Sequence, residues 1–154
     1  MEFPKPQQLQ SLDPRDYRVI ACVAGTRHFN DRVLFHEKIL EFLEIQEEPV
    51  LFLSGAAHSG ADDLIIRWCA KFKYPCKRMP ADWDNEKGVP NFNKRAAGFV
   101  RNAEMAAIAT HLLAFFDGES SGTQDMIDRC EELNRHIQIF IVPVKKPQPR
   151  YEKT

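Results

Sequence analysis

The sequence predicts an α/β fold: a doubly wound, mostly parallel five-stranded sheet with helices on both faces. Three observations carry this. Apolar runs too continuous to alternate recur at residues 18–24, 51–53 and 112–116, as strands buried on both faces require. Segments with helical apolar spacing lie between them. Loops rich in Gly, Ser and Thr follow the strands, at the edge where such a sheet opens its ligand crevice.

In chain order, Arg18-Val19-Ile20-Ala21-Cys22-Val23-Ala24 reads as the first strand and ends at Gly25. Asn30 or Asp31 caps the next helix, in which Phe35, Ile39, Phe42 and Leu43 recur at helical spacing, and Glu47-Glu48-Pro49 stops it. Leu51-Phe52-Leu53 is the second strand. It passes through a loop of glycines and small residues into a carboxylate-capped helix with Leu64, Ile65, Trp68, Cys69 and Phe72 on one face. After the Tyr74-Pro75 turn, Cys76-Lys77-Arg78-Met79 is a weaker strand suited to a sheet edge. The polar segment from Pro80 to Asn93 is longer than a connector, and long ordered loops tend to be functional. An alanine-rich helix over about 94–110 leads to the strand Leu112-Leu113-Ala114-Phe115-Phe116, closed by Asp117-Gly118. The small-residue loop Gly118-Glu119-Ser120-Ser121-Gly122-Thr123 opens a helix to about Asn134, with Thr123 as N-cap and Asp125 as a first-turn carboxylate. Residues 137–142 are the last strand, and Pro143 ends the domain. The domain therefore spans 18–143, between a polar arm (1–17) and a polar tail (144–154), with no internal repeat.

The 154 residues suffice for a real core, and 44% hydrophobic with 28% charged residues is ordinary for a soluble globular chain. A net charge of −1 argues against an electrostatic nucleic-acid binder, which shows a basic stripe. No run reaches membrane-spanning length, and the first residues lack an apolar signal-peptide core, so a cytoplasmic protein is expected. The four cysteines, without a C-x-x-C, read as buried reduced thiols and not as a zinc site. No metal or cofactor is expected.

The candidate chemistry lies in the loops. A strand entering a helix through the Gly55–Gly60 turn leaves N–H groups aimed at open space, backed by the helix dipole, and such a turn can hold phosphate. Gly55 and Gly60 do not fit the dinucleotide fingerprint, and no Lys-Ser/Thr follows Gly60 as in a Walker A loop. The topology brings this loop together with those after Ala24 and Phe116 at one edge of the sheet, which points to a phosphate-bearing ligand. After Gly25, Arg27 can fork onto a phosphate and Thr26 can donate its hydroxyl, although a tight turn with a solvated Arg has the same pattern. Asp62 and Asp63 offset the helix dipole by about 0.3–1 kcal/mol each, and Asp62 is alternatively a partner for a ribose or base. His58 is a phosphate donor or acid, or a solvated side chain. His28, His36, His111 and His136 show no ligand spacing. Trp83 stacks on a base or anchors its loop. Arg101 and Met105 share a helix face. Asp125 opens a helix where a phosphosugar would bind, placed to stabilise positive charge at a sugar C1 as a glycosidic bond breaks.

Together these pieces resemble the SLOG superfamily, in its YspA-like (YpsA-related) branch. The matching motifs are Gly25-Thr26-Arg27, the stretch Ser54-Gly55-Ala56-Ala57-His58-Ser59-Gly60-Ala61-Asp62, Asp82-Trp83, Ala97-Gly98-Phe99-Val100-Arg101-Asn102-Ala103-Glu104-Met105, and Asp117-Gly118-Glu119-Ser120-Ser121-Gly122-Thr123-Gln124-Asp125-Met126. The resemblance implies a Rossmann-like fold that binds a nucleotide or nucleotide-derived ligand through these loops. It adds Ser54, Gly55, Ala56, Gly60, Asn102, Gly118, Ser120, Ser121, Gly122 and Thr123 to the expected contacts. More distantly it resembles the LOG phosphoribohydrolases, once called lysine decarboxylases, and DprA. LOG proteins hydrolyse the N-glycosidic bond of a nucleoside monophosphate with an Arg-Lys-x-x-Met helix and a Pro-Gly-Gly-x-Gly-Thr-x-Glu loop, whose Arg and Glu are catalytic. Arg101-Asn102-Ala103-Glu104-Met105 matches the first pattern, and Gly122-Thr123-Gln124-Asp125 puts an aspartate at the glutamate. The Pro-Gly-Gly is replaced by Asp117-Gly118-Glu119.

Two readings follow: a module that senses or sequesters a small nucleotide, or an N-glycosidic hydrolase in which Arg101 fixes the 5′-phosphate and Asp125 stabilises the oxocarbenium ion. Single-stranded DNA binding, as in DprA, fits the near-neutral charge and scattered aromatics least. The resemblance also implies a homo-oligomer.

Overall fold

The computed structural model describes residues 10–146. The strands are β1 (Val19–Gly25), β2 (Val50–Ser54), β3 (Cys76–Arg78), β4 (His111–Phe116) and β5 (Gln138–Pro143). Between them lie the helices α1 (Arg32–Glu44), α2 (Gly60–Phe72), α3 (Lys94–Ile108) and α4 (Ser121–Leu133). The sheet runs β3-β2-β1-β4-β5 and every neighbouring pair is parallel. This is the expected α/β Rossmann-like architecture.

The continuous apolar runs have a simple cause. Successive strand residues point to opposite faces, and each face of this sheet carries its own core. Val19, Ala21 and Val23 of β1 join Val50 and Phe52 of β2 under Phe35 and Ile39 of α1 and Ile65 and Trp68 of α2. Ile20, Cys22 and Ala24 join Leu51, Leu53 and Leu112 under Met105 and Ala106 of α3 and Met126, Ile127 and Cys130 of α4. Over the central strands β1, β2 and β4 both faces are buried, which is why consecutive positions there are apolar.

Local chemistry sets most of the helix ends. Asp31 caps α1 by accepting from Leu34 N–H at 3.0 Å, and Asn93 caps α3 by accepting from Arg95 N–H at 2.8 Å. Two expected caps are corrected. The N-cap of α2 is Ser59, and Asp62 sits in the first turn with its carboxylate reaching back to Ala57 N–H at 3.2 Å. In α4 the N-cap is Ser120, not Thr123. Ser121 and Gly122 already turn helically, which draws Thr123 into the first turn, where it is buried with its hydroxyl 3.1 Å from Ser120 Oγ. Asp125 consequently lies beyond the first turn, which contains no acidic residue.

Of the expected arm and tail, residues 1–9 and 147–154 lie outside the described residues. The remainder of the arm is not merely polar chain: Pro14–Asp16 forms a 3-10 turn capped by Asp13, and Tyr17 is buried in the second core. Among the described residues no helix is long and apolar enough to cross a membrane. All four cysteines are free thiols, with Cys22, Cys69 and Cys130 buried and Cys76 half-buried.

Phe52 is fully buried at the centre of an aromatic cluster, its ring 6.0 Å from those of Trp68 and Tyr74 and 6.4 Å from that of Phe42. Phe52→Ala therefore lowers stability by about 3–5 kcal/mol, measured as a lower urea midpoint with an unchanged m-value.

Candidate functional site

At the carboxyl ends of the strands, β1 and β4 are neighbours whose following helices cover opposite faces. A doubly wound sheet opens its crevice at such a switch. Here it holds a cavity of about 900 Å³, within the size range of small-ligand sites. The loop after β1 contributes Thr26, Arg27 and His28, the loop after β2 contributes Ala57, and the first turn of α2 contributes Asp62. α3 and the segment before it contribute Trp83, Lys94, Arg95, Arg101 and Asn102, and the loop after β4 contributes Asp117, Glu119 and Ser120. Met105 and Met126 form part of its wall and are buried.

Backbone packing fixes the loops. Thr26 N–H donates to Phe115 O at 2.9 Å, and Asp117 N–H donates to Thr26 Oγ1 at 3.2 Å, so the loops after β1 and β4 are tied together. After β2, Ser54 Oγ donates to Asp62 O at 2.8 Å and accepts from Ala56 N–H at 3.1 Å. Ala56 itself adopts a left-handed φ of 59°, a strained conformation for a residue with a Cβ.

Arg101 joins that loop to α3 and α4. Its Nη1 donates to Gly55 O, and its Nε donates to Asn102 Oδ1 at 3.0 Å. Asn102 Nδ2 in turn donates to Asp125 Oδ2 at 2.9 Å, and Arg129 Nε donates to Asp125 Oδ1 at 3.2 Å. The Arg101 guanidinium lies 5.9 Å from the centre of the Trp83 ring, in cation–π range. Trp83 rests on Gly98, where a Cβ would come within 3.1 Å of the indole.

Charge is unevenly distributed around the cavity. Burial pushes the Asp62 carboxyl up, against the pull of the Ala57 N–H and of the Arg101 and Arg27 charges. Asp117 moves the other way. The N–H groups of Glu119 and Ser120, at 2.8 and 2.9 Å from its Oδ1, and His28 Nε2, at 3.0 Å from its Oδ2, hold its carboxyl well below the usual range.

The expected contacts divide into those that reach the cavity wall and those that do not. Gly25, Thr26, Arg27, Asp62, Trp83, Arg101, Asn102, Ser120, Ser121, Gly122 and Thr123 line it. Ser54, Gly55, Ala56, His58, Gly60, Gly118 and Asp125 are not part of its lining. Ser54 is fully buried and bonded within its loop, while His58 and Gly118 are exposed. Asp125 is engaged by Asn102 and Arg129. The sequence reading missed His28, Asp117, Lys94 and Arg95. Asp117-Gly118-Glu119-Ser120 carries a recognisable Asx-turn signal, but nothing near His28 announces a partner 89 residues away. Among the described residues no group of three or more His, Cys, Asp or Glu side chains could hold a metal ion.

No family model and no curated protein matches the chain. A solved structure does, that of DNA processing protein A (DprA) from Streptococcus pneumoniae. The fold is similar to that of DprA. The match has a TM-score of 0.64 at 16% identity and covers 88% of this chain, which spans about half (53%) of the DprA chain. At that identity the likeness is one of fold.

The depressed Asp117 carboxyl has a thermodynamic consequence. A carboxylate whose folded pKa lies below its unfolded value contributes stability that is complete above the unfolded pKa and disappears as pH falls through the folded one. The stability margin of wild type over Asp117→Asn in urea should therefore shrink as pH falls below about 4.

Proposed function

We propose that this protein is a nucleotide-binding module that takes a nucleotide or nucleotide-derived ligand into the cavity beside β1 and β4. The carrying observation is the wall itself. In one crevice it combines phosphate-directed cations (Arg27, Arg101), the exposed N-terminal turn of α4 with Ser120 and Ser121, and an accessible aromatic face, Trp83. Helix N-termini and Arg suit phosphate, and an indole suits a base. The order of the motifs supports placing the chain in the YspA-like branch of the SLOG superfamily. Membership there, like a homo-oligomeric state, a cytoplasmic location and the domain limits 18–143, is part of this proposal.

Binding without turnover is favoured by the setting of Asp125. An oxocarbenium ion needs a carboxylate facing it, whereas each Asp125 oxygen accepts a hydrogen bond from Asn102 or Arg129 and the side chain lies off the cavity wall. DprA is a DNA processing protein by name, but a net charge of −1 gives little of the electrostatic attraction on which DNA binding relies.

Calorimetric titration with a panel of nucleoside monophosphates, coupled to chromatography for free base, tests the proposal. At least one nucleotide binds, Arg101→Ala weakens it by tenfold or more (about 1.5–3 kcal/mol for a charged hydrogen bond), and no base is released. Base release abolished by Asp125→Asn would establish the hydrolase instead. Tighter binding of a single-stranded oligonucleotide than of any mononucleotide would count for the DNA reading.

A further inference from the structure

The proposed function does not use the pair at the mouth of the cavity, His28 with Asp117. Their side chains come from the loops after β1 and β4, the two strands that flank the crevice. An ionised carboxylate can only accept, so the 3.0 Å contact from His28 Nε2 to Asp117 Oδ2 places a proton on Nε2. The other ring nitrogen, Nδ1, has no partner among the described residues, although the ring borders the cavity and its side chain is 32% exposed. Asp117 is itself fixed by the N–H groups of Glu119 and Ser120, so the imidazole is held by a preorganised anion. An imidazole in this setting gains a second donor when it takes up a proton.

We propose that His28, oriented by Asp117, is a further phosphate contact of the cavity, beside Arg27 and Arg101. Its imidazolium Nδ1–H donates to the terminal phosphate of a phosphomonoester, so capture of the ligand is gated by protonation. The inference deepens the reading of the cavity as a nucleotide site and rests on it. Arg27 lies on the same loop as His28, and Asp117 on the loop after β4. Glu119, from the same loop as Asp117, is paired with Lys146. Across the cavity, Asp62 of α2 lies near Arg27 and Arg101, and Lys94 and Arg95 open α3. Asp117 is the anion in direct contact with the ring. A phosphate dianion entering beside Arg27 supplies the second anion, and the imidazolium then bridges the two.

The test has two arms. In the first, inorganic phosphate is added to wild type while the C2–H resonance of His28, assigned by its loss in His28→Gln, is followed by NMR. A saturable shift, with the titration of that resonance displaced to higher pH, supports the contact; a resonance indifferent to phosphate overturns it. In the second, nucleoside monophosphates and the matching nucleosides are titrated into wild type, His28→Gln and Asp117→Asn between about pH 8.5 and 6.5. Wild type prefers the monophosphate increasingly as pH falls. His28→Gln binds the monophosphate about tenfold more weakly at the acid end, has lost that extra pH dependence, and binds the nucleoside as wild type does. Comparing variants at each pH cancels the ligand's own protonation. Asp117→Asn, with the imidazole intact, shows the same direction of loss. Equal monophosphate affinity and pH profile in wild type and His28→Gln overturns the inference while leaving the nucleotide reading standing. A phosphate-induced shift with no nucleotide binding does the reverse.

Discussion

The ligand edge depends on how closely β1, β4 and the start of α2 approach one another. A Cβ at Gly25 would stand 2.6 Å from Phe115 O and 2.9 Å from the Cβ atoms of Ala61 and Phe115. At Gly60, where φ is +72°, it would stand 2.5 Å from Thr26 O. Neither position has room for a side chain, and the second also has the left-handed backbone that glycine adopts at least cost. The loop after β1 is thereby pressed between the end of β4 and the N-terminus of α2. Main-chain packing sets the distances between the cavity walls. That is the condition for a preorganised site.

Upon this frame the polar groups form one connected system. Gly55 O, Arg101, Asn102, Asp125 and Arg129 follow one another by hydrogen bonds from the loop after β2, through α3, to α4. A guanidinium on a helix is ordinarily a mobile surface group. This one is half-buried, anchored at one nitrogen by a carbonyl and at another by an amide, with its central carbon over the Trp83 ring. Its remaining donors are therefore held at low entropic cost, and a ligand meets a fixed fork. A Cβ at Gly55 would lie 2.4 Å from Arg101 Nη1 and would push the guanidinium out of this place. The half-buried Asp62 carboxyl lies near Arg101 and Arg27 and offers them a countercharge.

The fold was legible because its determinant is local. A strand buried on both faces must be apolar at consecutive positions, and 18–24 and 112–116 show that without any knowledge of partners. The loops were legible for a related reason, since small residues after a strand are a local signal. Pairings between distant loops were not. His28 and Asp117 are separated by 89 residues, and only the parallel pairing of β1 with β4 brings them together. The error at Thr123 and Asp125 is instructive in another way. Ser120, Ser121, Gly122 and Thr123 are all acceptable near a helix start, so composition could not choose between them. The choice of Ser120 turned Thr123 inward and moved Asp125 to where Asn102 and Arg129 reach it.

That displacement bears on what a carboxylate at this place can do. To stabilise a developing cation it must carry its charge toward the ligand, with little competing for its lone pairs. Asp125 spends its charge on Arg129 at 3.2 Å and on the Asn102 amide at 2.9 Å. Asn102 is thus oriented with Nδ2 toward Asp125 and Oδ1 toward Arg101, because an amide has only one acceptor end. Reversed, it would set its carbonyl against the carboxylate and its NH₂ against the guanidinium, two repulsive contacts in a buried place. Asp125 therefore acts on the cavity through two intermediaries, fixing the amide that fixes the arginine. A side chain one methylene longer than aspartate would reach further from the helix than this relay requires. The aspartate suits positioning, and the group it positions, Arg101, is the one that lines the cavity.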